Sequence, residues 1–132
     1  MSTALTGIKS MGDALEDDPA LSPVRTAVEL AAALIPRLVR DDDDHLAAEL
    51  ITSLAIMEEC AASATLEQGR VRRKLIEIAR GKCARARCSL EIAVAWEVVT
   101  EADIAEAKAA LDAADAVLAP PPRVTLSALL RR

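Results

Sequence analysis

The 132-residue chain contains no phenylalanine and no tyrosine, and Trp96 is its one aromatic apart from His45. Stacking readout of single-stranded bases depends on aromatic platforms, so that mode of recognition is poorly supported. With one histidine and three cysteines (Cys60, Cys83, Cys88) that form no CxxC pair, neither a zinc site nor a disulfide framework is expected. Buried free thiols in a reducing cytosol are the simpler reading. A di-iron bundle needs two Glu-x-x-His motifs, and one histidine cannot supply them. Only four glycines are present. Arg80-Gly81-Lys82 lacks the glycine-rich loop of a phosphate cradle, and the acid run Asp41 to Asp44 lacks the glycine and distant glutamate of an EF-hand.

Long apolar runs are missing too. No segment approaches eighteen uninterrupted apolar residues, and the first twenty residues contain no signal-peptide core. These features predict a soluble cytoplasmic protein without membrane contact. No group of residues has the spacing of a nucleophile triad: the three cysteines have no second basic partner, and the adjacent Glu58 and Glu59 face different directions on a helix. Neither catalysis nor a cofactor is expected.

What remains is an alanine-rich, helix-prone chain. There are 28 alanines in a composition that is 52% hydrophobic, and strand-like alternation is absent, so close-packed helices are predicted. Ser22-Pro23 reads as a helix start, with Ser22 at the N-cap. Val24, Val28, Ala31, Ile35 and Leu38 form its inner stripe, and Pro36 predicts a kink or early finish. A second helix follows the acid run, with Leu46, Leu50, Leu54, Met57 and Ala61 inward and Ile51, Ala55 and Ala62 widening the apolar surface. Asp44 is expected among its capping acids.

The third helix is predicted over Gly69 to Val99, about 45 Å long at 1.5 Å per residue. Thr100-Glu101-Ala102-Asp103 is a capping box opening a fourth helix, with Ile104, Ala107, Leu111, Ala114 and Leu118 inward. Pro120-Pro121-Pro122 then ends it. The expected fold is all-α, an antiparallel up-down four-helix bundle with a long third helix. Residues 22–119 form the bundle, residues 1–21 a flexible arm, and residues 120–132 a proline-rich exit and an amphipathic tail. The tail, with Val124, Leu126, Leu129 and Leu130 beside basic residues, is a candidate protein-docking segment over 123–132.

Charge is unevenly spread. From Arg70 to Arg87 eight basic residues face one acid, Glu77, a local +7 in a chain of net charge −5. On a helical projection Arg70, Arg73, Lys74, Arg80, Arg85 and Arg87 share an arc of roughly 160°. Two readings stand. The arc pairs with acids of the fourth helix, the Asp41 to Asp44 turn or another subunit, or it binds an RNA or DNA backbone. Further along, Cys88, Ile92, Ala95, Trp96 and Val99 belong to a stretch that is apolar almost all round. Such a helix needs cover on all sides, and a second subunit is the natural source. Gly81, a poor helix former in mid-helix, is read as permitting close helix approach.

Several runs resemble those of a known family. Ile78-Ala79-Arg80-Gly81-Lys82, Leu90-Glu91-Ile92-Ala93 and the Thr100 cap are similar to patterns in bacterial four-helix-bundle proteins. That family includes proteins encoded in intervening sequences of 23S ribosomal RNA genes and accessory variability proteins of diversity-generating retroelements. Ile35-Pro36-Arg37-Leu38 resembles a run of the retroelement branch, whereas Glu59-Cys60-Ala61-Ala62-Ser63 and Trp96-Glu97-Val98-Val99 differ from the family's runs. The resemblance implies a non-catalytic bundle that assembles into a ring, typically a pentamer. In the retroelement branch it further implies association with a reverse transcriptase and its RNA.

Overall fold

The computed structural model describes residues 19–39 and 44–120. A 3-10 turn, Pro19–Leu21, leads into α1 (Ser22–Ala32), α2 (Ile35–Leu38), α3 (His45–Ala64), α4 (Gly69–Ala95) and α5 (Glu101–Leu118). Helix accounts for 85% of the described residues, and none lies in a strand. The expected arm up to residue 18, the acids Asp41 to Asp43 and the tail from Pro121 onward lie outside the described residues.

The first expected helix is two. Pro36 has no N–H to offer the carbonyl of Ala32, and its ring crowds that carbonyl, so regular helix stops there. The chain turns through Ala33 and Leu34, whose N–H groups donate to Glu29 and Ala31, and restarts with Pro36 in the first turn of α2. Ser22 is not the cap expected of it. Leu21 holds that position, and no side chain caps α1. Asp44 likewise occupies the N-cap of α3 without a capping hydrogen bond.

α3 and α5 bury the inner stripes their periodicity indicates, whereas Val28 on α1 and Ile35 on α2 are only half-buried with Ala27 and Leu34 inside, and Val71 and Ile78 on α4 stay exposed. Val24, Leu38, Leu50, Met57, Leu90, Ile104 and Leu111 are fully enclosed, with Ala27, Ala31, Ala61, Ala79, Ala86, Ala93 and Ala114 between them. Side chains this small let helix axes draw together, which compensates for the missing aromatics. On α3 the buried stripe is narrower than expected: Ile51 and Ala55 face outward, and Ala47 and Ser53 are buried instead. Helix contacts run α1 to α3, α3 to α4, α4 to α5 and α5 back to α1, with α2 resting on α3.

Links between helices are closed by hydrogen bonds. After α3, the Thr65 hydroxyl donates to the Ala62 carbonyl (2.6 Å) and Arg72 Nη1 to the Ala64 carbonyl (2.9 Å). The Arg72 cation thus meets the negative end of α3. Gly69 then starts α4 with φ of +62°, a conformation glycine adopts freely. At α5 the expected capping box is complete: Asp103 N–H donates to Thr100 Oγ1 (3.2 Å) and Thr100 N–H to Asp103 Oδ2 (2.8 Å). Arg37 on α2 donates to the same Oδ2 at 3.1 Å. The Thr100 N–H first, then Arg37 and the Thr100 hydroxyl, hold the Asp103 carboxyl below its ordinary range.

The third predicted helix ends four residues early, at Ala95 rather than Val99. Glu97 adopts φ of +59°. Its N–H donates to the Val94 carbonyl and that of Val98 to the Ala93 carbonyl, both at 2.9 Å. This pair of bonds is a Schellman closure with glutamate where glycine is usual, and the absence of that glycine hid the stop in the sequence. The reversal turns Val98 and Val99 back onto the core. Because a left-handed conformation costs a non-glycine residue about 1 kcal/mol, Glu97→Gly should stabilise the protein by about that amount. Thermal or urea unfolding checks this, and an unchanged or lower midpoint would contradict the strain.

Candidate assembly and binding face

The inner side of α4 is committed to the core through Ala79, Cys83, Ala86, Ser89, Leu90 and Ala93. Its flanks carry ion pairs. Toward α5, Arg80 binds Asp115 through two hydrogen bonds (Nε to Oδ1 3.0 Å, Nη2 to Oδ2 3.3 Å). One turn pair further along, Arg87 Nη1 lies 3.2 Å from Asp112 and Lys108 Nζ 3.3 Å from Glu91. Toward α3, Arg85 donates to Glu49 at 2.8 Å. The two-pronged Arg80 contact is the most directional of these; the exposed pairs contribute at most about 1 kcal/mol each.

The basic arc is therefore divided by its tertiary partners. Arg80, Arg85 and Arg87 are occupied by acids of α3 and α5, and Lys74 lies 3.9 Å from Glu77 on its own helix. Arg70 and Arg73 are exposed, and no ion pair among the described residues engages them. Glu49, Asp112 and Asp115 decide this division. The acidity of the fourth helix indicated in the sequence that partners existed, but not which arginine each would take.

The five residues expected at a subunit contact also separate. Cys88, Ala95 and Trp96 are exposed, Trp96 by 58%, and Ile92 is half-buried. Val99 is enclosed in the chain's own core at 5% exposure, because the Glu97 reversal carries it there. On either side of the outward ridge lie shallow grooves. One of about 560 Å³ follows α5 past Arg80, Arg87 and Asp112, and one of about 370 Å³ follows α3 past His45, Glu49 and Trp96. Cys88 borders both. A third groove, of about 590 Å³, lies beside Leu21, Arg73, Ile76 and Leu118.

Burial first, then Asp115 and Asp112, push the Cys83 thiol up to about 11, and its Sγ lies 3.1 Å from the Leu111 carbonyl, to which it donates. The Cys60 thiol is also raised, by burial and then by Glu59. A thiol so held is protonated at neutral pH and a poor nucleophile. Among the described residues no cluster of three or more His, Cys, Asp or Glu side chains is placed to hold a metal ion, and no described helix is long and apolar enough to cross a membrane. Comparison with protein-family models, with curated proteins and with solved structures finds no match to this chain.

The two thiols on α4 should behave oppositely. Cys88 should react with a thiol reagent at pH 8 in the folded single chain, at a dilution where sedimentation shows no assembly, and Cys83 only on unfolding, as alkylation followed by peptide mass analysis would read. Because the Cys83 value is raised from 9.0 to about 11, its contribution to stability is fully present below pH 9 and is lost as pH rises toward 11. The native protein should accordingly lose more stability across that interval than Cys83→Ala.

Proposed function

We propose that this protein is a non-catalytic helical scaffold that works as an assembly of several copies. The carrying observation is Trp96, the largest side chain in the protein, left 58% exposed at the end of α4 in line with exposed Ala95 and Cys88 and half-buried Ile92. Apolar surface grouped in this way marks a contact with another molecule, and a buried tryptophan is a frequent anchor of such contacts. The cycle of helix contacts, with α1 and α2 taken as one kinked helix, supports an antiparallel up-down four-helix bundle as the unit that assembles. The family resemblance adds a ring of five as the arrangement to look for.

Sedimentation equilibrium tests the reading. The native protein should have a mass of more than one chain at micromolar concentration. Trp96→Glu should lower the mass to one chain while helical circular dichroism is unchanged. A native monomer would overturn the proposal.

A second reading rests on Arg70 and Arg73, which no acid among the described residues neutralises. With Lys74 they form a short basic surface for a nucleic-acid backbone, the role that the retroelement branch of the resemblance suggests beside a reverse transcriptase. Such binding is electrostatic and weakens steeply with salt. A filter assay with RNA and DNA at low salt should show binding that Arg70→Glu with Arg73→Glu abolishes and Arg85→Glu leaves largely intact. No binding by the native protein removes this reading.

A further inference from the structure

The outward face of α4 has an order along its length that no contact among the described residues explains. Arg73, Glu77, Gly81, Ala84, Cys88 and Glu91 are all exposed and fall within an arc of about 80° at 100° per residue. A methyl group added to Gly81 would meet nothing within 4 Å. No close approach among the described residues therefore calls for glycine at this mid-helix position. Measured from the midpoint between Gly81 and Ala84, Arg73 lies about 14 Å toward the start of the helix and Glu91 about 13 Å toward its end. The two are five full turns apart at 3.6 residues per turn, so they occupy the same flank.

We infer that α4 docks against α4 of a second copy, antiparallel about a two-fold axis passing between Gly81 and Ala84, with Arg73 of each copy paired to Glu91 of the other. The inference rests on the self-assembly proposed above and puts a closed pair in place of the ring of five that the resemblance implies. A two-fold axis perpendicular to the helix reverses its direction while keeping each flank on its own side. Arg73 and Glu91, equally far from the axis on one flank, then meet twice. The smallest side chains fall at the crossing, where the backbones come closest. A parallel, in-register pairing would instead set Arg73 against Arg73 and Glu91 against Glu91.

Arg73 is unpaired among the described residues, and Glu91, already shared at Oε1 by two cations of its own chain, Arg87 and Lys108, has one carboxylate oxygen left to face a second copy. On the opposite flank Val71 and Trp96, 54% and 58% exposed, lie about 17 and 20 Å from the same midpoint on its two sides, so the docking brings each toward the other's counterpart. The contact is isologous and closes as a pair.

Charge exchange tests it. By sedimentation equilibrium at low ionic strength the native protein should be a dimer. Arg73→Glu and Glu91→Arg should each weaken dimerisation about tenfold or more, since like charges then face each other. Together in one chain the two substitutions should restore affinity to within about threefold of native, because the pair is remade with its signs exchanged. Under mild oxidation Glu77→Cys should link to Cys88 of the second copy, the two positions being equidistant from the axis. Native Cys88 should not link to itself, standing about 16 Å from its counterpart. A double variant no tighter than the single ones, or a Cys88 to Cys88 link in the native protein, would overturn the antiparallel pairing. A five-copy ring would overturn it and leave self-assembly standing, whereas a native monomer would remove both.

Discussion

Close approach of helices through alanine is the constraint on which this structure depends. Without phenylalanine or tyrosine to fill space, the interior is closed only if helix axes come near enough for leucine, isoleucine and valine to interlock across seven fully buried alanines. Enlarging any of these would push two helices apart and open the core along its length, since packed interiors do not deform locally without cost. The same constraint explains why the links are tight. Proline interrupts α1 at one turn's distance, Gly69 starts α4 abruptly, and the Glu97 reversal ends it so that Val98 and Val99 return to the core.

α4 is the wall shared by this arrangement and by whatever lies outside it. Its inner side belongs to the core, and its flanks are tied to α3 and α5 by Arg85, Arg80 and Arg87. Its outer side is left with two arginines that no acid among the described residues neutralises, a run of small residues and a tryptophan. Ion pairs at half-exposed sites contribute little to stability, but they remove particular cations from the surface that a partner would meet. The division of the basic arc is thus a consequence of helix packing. Glu49 of α3 and Asp112 and Asp115 of α5 meet Arg85, Arg87 and Arg80 in the later part of α4, and no described ion pair ties Arg70 or Arg73 of the earlier part to either helix.

Much of the fold was legible in the residues because it follows from local rules. The inward stripes of α3 and α5, the break near Pro36 and the Thr100 capping box all depend on neighbours within one or two turns. What the residues leave open has a common cause as well. Ile51 continues an apolar surface in the sequence, yet whether an edge residue is covered depends on where the next helix lies. The end of α4 is not legible locally because its stop uses a glutamate in a left-handed conformation, which the surrounding hydrogen bonds and the burial of Val98 and Val99 impose against its own preference. The candidate contact residues were legible only as a group. Their apolar character was plain, but their separation into Trp96 outside and Val99 inside came from that same reversal.

By itself, then, the sequence determined the helical class, the inward face of each helix and the asymmetry of charge, since periodicity, caps and residue counts are properties of the chain taken segment by segment. Only the tertiary structure decided which arginines have partners, where the long helix stops and which apolar residues remain at the surface. Each of these depends on distances between elements remote in sequence, and those distances exist only once the helices have packed.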